Sequence, residues 1–230
     1  VLAEHGARVI ITHRDSAAGA EEVLAILSGD GHRIVQVSAT DSEGLRAAAT
    51  TTAEIEGRLD LLVNNAATSR VVQHSDLDAL DDELFDTILQ TNVRGAFATV
   101  RAFRALLAGG EGGLVVNISS LAARSANGSN IAYSASKAAM DNMSMSLARA
   151  LAPEIRVVSV APGLVDTEFT RGWAPEVRNR TIEQTPLGRI ALPEDIGRAV
   201  LAVAVDLPMT TGVVIPVDGG HPLGAVRRHS

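Results

Sequence analysis

Short apolar stretches alternate along this chain with longer segments in which apolar residues recur every three or four positions. The short stretches are rich in Val, Ile and Leu and are bounded by Gly, Asp or Asn, a pattern that predicts buried strands. The predicted strands are Ala7–Thr12, Arg33–Val37, Leu59–Asn64, Leu114–Ile118, Ile155–Val160 and Val213–Val217. The longer segments predict helices, namely Ser16–Ser28, Ser42–Glu56, Asp81–Leu107, Ala132–Leu151 and Pro193–Asp206. This alternation predicts an α/β fold, a doubly wound parallel sheet with helices on both faces, in a single domain over residues 1–230.

The first six residues do not have the pattern that begins such a domain. Val1–Gly6 resembles the tail of a helix capped by Gly6, and it runs directly into the first strand. Because such a helix follows a strand and a loop in a βαβ unit, we expect roughly two dozen further residues ahead of Val1. The strand among them would lie centrally in the sheet. Without it, Ala7–Thr12 and Leu59–Asn64 would lack a shared neighbour.

Composition narrows the possible functions. Hydrophobic residues make up 46% of the chain but aromatic residues only 3%, so the core is expected to consist of Ala, Val, Leu and Ile. The net charge of −7 argues against a nucleic-acid partner, which would require basic patches. The chain has no Cys, and its six His lack the paired spacing of zinc ligands, so no metal site is predicted. Neither a membrane-spanning run nor a signal peptide is evident, and a cytoplasmic protein without a membrane partner is expected.

The strongest chemical signal is a tyrosine followed by a lysine four residues later, with a serine ahead of both. Tyr133 and Lys137 are one helical turn apart and therefore project from the same face of the predicted helix. An ammonium group beside a phenol lowers the phenol pKa, so Tyr133 would exchange a proton with a substrate oxygen near neutral pH. Ser120, thirteen residues before the tyrosine at the end of a strand, would bond to the same oxygen. Taken alone, the Tyr–Lys pair would be an ordinary surface pair.

Ser120, Tyr133 and Lys137 resemble the catalytic serine, tyrosine and lysine of the short-chain dehydrogenase/reductase family. Four further segments match that family in the same order along the chain. They are Asn64-Asn65-Ala66-Ala67, Thr91-Asn92-Val93, Pro162-Gly163-Leu164-Val165-Asp166-Thr167 and Val217-Asp218-Gly219-Gly220. The resemblance implies a Rossmann-like fold and an enzyme that transfers a hydride between a nicotinamide cofactor and a carbonyl or secondary alcohol. It also implies a homotetramer or dimer.

The same resemblance implies a role for each matching residue. Tyr133 would donate a proton during reduction and accept one during oxidation, while Lys137 would lower its pKa and bind the nicotinamide ribose. Ser120 would orient the substrate oxygen, and Asn92 would complete a proton relay. The remaining matches imply cofactor contacts: Asn64 and Ala66 at the adenosine ribose, and Pro162, Gly163, Val165 and Thr167 around the nicotinamide.

The choice of dinucleotide depends on the end of the second strand of this fold, where an acid favours NAD and an arginine favours NADP. Here the sequence is Thr12-His13-Arg14-Asp15. His13 stands at the position of the acid and Arg14 at the position of the base, which favours NADP and leaves NAD possible. Asp15 would offset Arg14, or contact the ribose hydroxyl itself.

Two segments bear on binding. The family holds the cofactor pyrophosphate with a glycine-rich turn, and Val1–Gly6 contains nothing comparable, so weak cofactor binding is expected. Residues 168–192 occupy the place of the family's variable substrate loop. Its apolar residues, which would form a lid over a small-molecule substrate or equally serve packing, are Phe169, Trp173, Ile182, Leu187 and Ile190.

Two other interpretations stay open. The chain could be a catalytically inactive remnant of the family that acts as a binding or interaction module, since the glycine-rich turn is lacking. A related epimerase or dehydratase would also use the tyrosine and lysine. However, the region after Pro193 is too short for the larger substrate domain of those enzymes.

Overall fold

The computed structural model describes residues 1–167, 170, 172 and 175–225, and it has the α/β architecture that the sequence predicts. The described residues form two parallel sheets, one with the order β1-β2 and one with the order β3-β4-β5-β6. The strands are β1 (Ile10–His13), β2 (Arg33–Gln36), β3 (Leu61–Asn64), β4 (Gly113–Ile118), β5 (Ile155–Pro162) and β6 (Val214–Val217). Leu107, Val115 and Val157 have no solvent exposure, and the core around them is largely aliphatic, as the composition predicts.

The separation of β1 from β3 confirms the expectation that these two strands lack a shared neighbour. Among the described strands, β1 pairs with β2 and β3 pairs with β4. Packing nevertheless connects the two sheets, because Val35 of β2 and Leu45 lie in the same apolar cluster as Val115 of β4. The molecule is therefore joined across the sheets by side chains rather than by a continuous hydrogen-bonded ladder.

The helices follow the predicted order. They are α1 (Ala17–Ala25), α2 (Ser42–Glu56), α3 (Asp82–Leu89), α4 (Ala96–Ala108), α5 (Ala122–Ser125), α6 (Ile131–Leu151), α7 (Pro175–Gln184) and α8 (Pro193–Val205). A 3-10 turn over Ala3–His5 ends at Gly6, whose φ of 84° and N–H bond to Ala3 O match the predicted glycine cap. Among the described residues, no helix is long and apolar enough to span a membrane.

Helix α2 has the predicted bounds, and it is capped by Asp41, whose carboxylate accepts the Glu43 and Gly44 N–H groups. The structure corrects two details of the helix prediction. The segment Asp81–Leu107 is not one α-helix, because a π-helical stretch over Gln90–Gly95 separates α3 from α4. Two helices, α5 and α7, were not predicted. The first is only four residues long, and the second is mostly polar and buries none of its side chains.

Candidate active site

The proposed catalytic residues lie at the carboxyl edge of the larger sheet. Ser120 follows β4, and the segment from Gly163 onwards follows its neighbour β5. Two backbone bonds hold these segments together, Ser119 N to Val160 O at 2.8 Å and Leu121 N to Pro162 O at 2.7 Å. Because parallel strands end at the same edge, side chains from both segments converge there.

Tyr133 and Lys137 occupy the beginning of α6 and share one face, as their spacing predicts. The Lys137 ammonium nitrogen lies 5.6 Å from the centroid of the Tyr133 ring. It donates a hydrogen bond of 2.7 Å to Ile118 O, the last residue of β4. Lys137 is almost fully buried. The lysine therefore connects the helix carrying the tyrosine to the strand that precedes Ser120.

Burial controls the pKa of both groups. It raises the pKa of Tyr133 above its usual value of 10.0, although a hydrogen bond with Ser120 acts in the opposite direction. It lowers the pKa of Lys137 from 10.5 to about 8, opposed by the negative charge of Asp141. The expected lowering of the tyrosine pKa by Lys137 is therefore not found. The cost of ionising a buried phenol exceeds the opposing effects, and the ammonium group is turned toward a backbone carbonyl.

Asn92 lies within the π-helical stretch and is fully buried, and both ends of its side-chain amide form hydrogen bonds within the protein. Its Oδ1 accepts the Thr68 N–H at 2.8 Å, and its Nδ2 donates to Thr68 O at 3.1 Å and to Ser136 Oγ at 3.0 Å. Ser136 Oγ in turn donates to Tyr133 O at 2.7 Å. Asn92 thus joins the loop after β3 to the second turn of α6.

Asn130 and Ser136, which sequence reasoning missed, hold the backbone of Tyr133. Asn130 Oδ1 accepts the Tyr133 N–H at 2.7 Å, so Asn130 is the N-cap of α6. The signal for the first was present, because an asparagine immediately before a helix and three residues before Tyr133 is a capping pattern. No comparable signal marked Ser136, since serine is common within that helix.

The two residues expected at the adenosine ribose differ in accessibility. Asn64 ends β3 and is buried, with its Nδ2 donating to Asn117 Oδ1 at 2.8 Å and more weakly to Ala96 O at 3.4 Å. Its side chain therefore joins β3 to β4. Ala66, two residues later, is exposed in the following loop.

The Pro-Gly segment is fixed at several points. Pro162 ends β5, and the Gly163 N–H donates to Val217 O at 3.1 Å. A side chain at Gly163 would lie 3.1 Å from Asp218 Cα, so glycine permits the close approach to the end of β6. Thr170, another residue that sequence reasoning missed, donates to Val165 O at 2.6 Å and accepts the Thr167 N–H at 2.9 Å.

The expected substrate loop is described only in part. Phe169 and Trp173 lie outside the described residues. Of the other apolar residues in this region, Ile190 is buried and Leu187 is exposed. Helix α7 is held to the Pro-Gly segment because Arg178 donates to both oxygens of Asp166 at 2.9 Å.

The expected selectivity residues lie at the end of β1. Arg14 is exposed and forms an ion pair with Asp15. The neighbouring His13 has a buried Nδ1 atom with no hydrogen-bond partner within the described part of the chain. Of the two possibilities for Asp15, the structure shows the ion pair that offsets the charge of Arg14.

The first residues offer little to a phosphate. The N–H groups of His5, Gly6 and Ala7 donate to the carbonyls of Leu2 and Ala3 within the same turn. Val1 packs against Gly197 of α8, where an added Cβ would lie 3.1 Å from a Val1 methyl group. These three N–H groups are therefore already bonded to carbonyls of the same turn, and they do not form an anion-binding turn.

Comparison with known proteins agrees with the motifs. A family model described as enoyl-(acyl carrier protein) reductase matches residues 1–221. A Streptomyces violaceoruber protein, named as a ketoacyl reductase of the granaticin polyketide synthase, is 37% identical over 96% of this chain and 89% of its own length.

Two solved structures have the same fold. A short-chain dehydrogenase/reductase from Brucella melitensis superimposes with a TM-score of 0.88 and 26% identity, covering 96% of this chain and 88% of its own. A gluconate 5-dehydrogenase from Burkholderia cenocepacia, solved with NADP and tartrate, gives a TM-score of 0.86 and 25% identity, covering 98% and 89%. The chain therefore belongs to the short-chain dehydrogenase/reductase family of oxidoreductases.

Proposed function

We propose that the chain transfers a hydride between NADP(H), or less favourably NAD(H), and a carbonyl or secondary alcohol, with Tyr133 as general acid and base. The observation that carries this proposal is the arrangement of Ser120, Tyr133 and Lys137. The Ser120 hydroxyl acts on the phenol to lower its pKa, and the Lys137 ammonium group lies 5.6 Å from the centre of the phenol ring. Tyr133 would exchange one proton with a substrate oxygen, Ser120 would orient that oxygen, and Lys137 would position the cofactor.

Three polar groups fit a dinucleotide cofactor. Lys137 uses one of its three N–H donors on Ile118 O, which leaves two for ribose hydroxyls. The Val165 N–H has no hydrogen-bond acceptor among the described residues, and it would donate to the nicotinamide carboxamide. The buried and unpaired His13 Nδ1 would be satisfied by a hydroxyl of the adenosine ribose. When bound, the nicotinamide would supply or accept the hydride.

The protein groups would then manage the proton. Because burial raises the pKa of Tyr133, the phenol is protonated at neutral pH, which is the form that reduction of a carbonyl requires. Ser120 would orient and polarise the substrate oxygen, and Lys137 would position the cofactor ribose beside it. Asn92 would complete the proton relay at the π-helical stretch, in addition to joining Thr68 to α6.

The substrate class follows less directly. The name of the Streptomyces violaceoruber relative favours a 3-oxoacyl thioester as the first carbonyl compound to test. For the cofactor, Arg14 favours NADP through attraction of the 2′-phosphate, although its pairing with Asp15 reduces that preference. We also propose that copies of the chain associate through the exposed face of α6, which includes Ala135 and Met145.

A second candidate is a family member that binds a partner or ligand without turnover. It is consistent with the high pKa of the buried Tyr133 phenol, which disfavours the phenolate that oxidation of an alcohol would need. A chain that binds neither dinucleotide in titrations would favour this candidate.

The Tyr133→Phe variant tests the proposed chemistry. We expect loss of turnover, measured as NADPH oxidation with acetoacetyl-coenzyme A, because phenylalanine has no proton to donate. NADPH binding, measured by fluorescence titration, should be retained, since the lysine and the Val165 N–H stay in place. Turnover in this variant at the wild-type rate would contradict Tyr133 as the acid. Asp41→Ala, which removes a helix cap elsewhere, controls for a general loss of stability.

A further inference from the structure

A buried asparagine at the start of α6 bonds to two separate parts of the molecule. Asn130 has no solvent exposure, and both ends of its side-chain amide are used. Its Oδ1 accepts the Tyr133 N–H at 2.7 Å, which caps the helix. Its Nδ2 donates to Arg70 O at 2.7 Å and to Ser69 Oγ at 3.2 Å. One amide therefore joins the tyrosine to the segment that follows β3.

Further contacts join the same two segments. The Val72 N–H donates to Ser129 O at 2.8 Å, the Ser69 and Ser129 hydroxyls are bonded to each other, and His74 Nε2 lies 3.1 Å from Gly128 O. Residues 69–74 therefore run beside residues 128–130, and we call this pair of segments the clamp. Asn130 is the member of the clamp that reaches the backbone of Tyr133.

The clamp also limits where the phenol ring can lie. A Cβ added to Gly128 would be 2.9 Å from Tyr133 Cδ1 and 2.8 Å from Ser134 Oγ, so the glycine backbone is packed directly against the ring. The Tyr133 carbonyl is held independently by Ser136 Oγ at 2.7 Å. A displacement of residues 128–130 would therefore move the ring relative to Ser120 and Lys137.

We propose that Asn130 is a positioning residue for Tyr133, because its amide fixes both the first turn of α6 and the clamp that packs on the phenol ring. The inference rests on the proposed function for its effect on turnover. The position of the phenol can also be followed without turnover, because Tyr133 is the only tyrosine in the chain. Its ionisation therefore gives a single phenolate absorbance signal.

The decisive variant is Asn130→Ser. Serine is a good N-cap and can still accept the Tyr133 N–H, but its single, shorter hydroxyl cannot replace the two N–H donors that hold Ser69 and Arg70. We expect kcat for NADPH-dependent reduction of acetoacetyl-coenzyme A to fall by about ten- to a hundredfold, as small misplacements of reacting groups do. The affinity for NADPH should change little. The phenolate midpoint should fall toward the ordinary value of tyrosine, because a loosened clamp admits water to the phenol.

The polar group that acts on the phenol pKa, Ser120, and the charged group beside the ring, Lys137, are unchanged in this variant. Asp41→Ala is the matched control, because it removes the cap of α2 and should lower stability without moving the phenolate midpoint. If Asn130→Ser does not fold, Ser69→Ala can be used in its place, because it removes one of the two hydrogen bonds that Asn130 Nδ2 donates. Its kcat and phenolate midpoint are expected to change in the same direction as in Asn130→Ser, but by less.

The outcomes separate the two proposals. A folded Asn130→Ser protein with wild-type kcat and an unchanged phenolate midpoint would overturn the positioning role. A wild-type protein that reduces no acetoacetyl-coenzyme A would count against the proposed reaction with that substrate. In that case, a lowered phenolate midpoint in Asn130→Ser alone, and not in Asp41→Ala, would still support Asn130 as the residue that positions Tyr133.

Discussion

At the scale of single residues, Lys137 has an ammonium group inside the protein, where within the described part of the chain one backbone carbonyl accepts a hydrogen bond from it. Burial lowers its pKa from 10.5 to about 8. A change of that size corresponds to about 3 kcal/mol in favour of the uncharged form. Below pH 8 the lysine is charged in the folded and the unfolded chain, so the folded state bears this cost. The proposed contact with a ribose gives a functional reason to retain it.

Lys137→Met should therefore stabilise the folded chain at neutral pH. We expect the free energy of unfolding to rise by about 2 kcal/mol, after allowing for the lost bond to Ile118 O. Between pH 8 and 10.5 the unfolded wild type binds a proton that the folded protein lacks, so wild-type stability increases with pH in this window. The variant should lack that increase. Urea unfolding at several pH values measures both effects, and a variant less stable than wild type at pH 7 would contradict the argument.

Arg14 and Asp15 form a second residue-scale case, in which two adjacent charges have opposite effects on cofactor choice. We expect Arg14→Ala to weaken NADPH binding by about tenfold, which is typical of a lost charged hydrogen bond, and to weaken NADH binding much less. Asp15→Asn should strengthen NADPH binding, since it frees the arginine from its ion pair. Fluorescence titrations of both nucleotides measure this. If Arg14→Ala weakened the binding of NADPH and NADH equally, the proposal that Arg14 contacts the 2′-phosphate would be contradicted.

At the scale of elements, strands and long amphipathic helices were predictable because their side chains are buried on a regular period. β4 and β5 contain runs of fully buried valines, and both were predicted within two residues at each end. β1 begins later than predicted, at Ile10 instead of Ala7. The strand is shorter because the Val9 N–H donates to Nδ1 of the His32 side chain at 3.0 Å and not to the backbone of a neighbouring strand.

Tertiary contacts explain most of the elements that the sequence did not predict. The π-helical stretch depends on Asn92, whose amide bonds to Thr68 in a loop more than twenty positions earlier in the chain. No local pattern marks such a bond. Helix α7 has too few apolar residues for a periodic signal, and it is attached through the Arg178–Asp166 ion pair.

The same distinction applies to the candidate site. That Tyr133 and Lys137 share one helix face and that Ser120 follows a strand could be predicted, because their spacing follows from helix geometry and strand ends. The reversal of the tyrosine pKa could not, because it depends on how much of the phenol is buried. The clamp around Asn130 could not be predicted from the sequence either, since it joins residues about sixty positions apart.

At the scale of the whole molecule, β1-β2 and the four-stranded sheet are held together by side-chain packing. The groups proposed for cofactor binding are divided between them, with His13 and Arg14 at the end of β1 and Lys137 and Val165 beside β4 and β5. A dinucleotide bound to both sets would link the two sheets. Cofactor binding is therefore expected to stabilise the arrangement of the sheets as well as the local site.

Thermal unfolding with and without nucleotide tests this expectation. A ligand at about one hundred times its Kd adds about 2.7 kcal/mol to the free energy of unfolding. For a chain of this length, that corresponds to a rise in the unfolding midpoint of about 5 °C or more. We expect NADPH to raise the midpoint more than NADH does. If copies associate through α6, the midpoint should also rise with protein concentration. A midpoint that neither nucleotide moves would mean that the described residues do not hold the cofactor by themselves, and it would favour the candidate that binds without turnover.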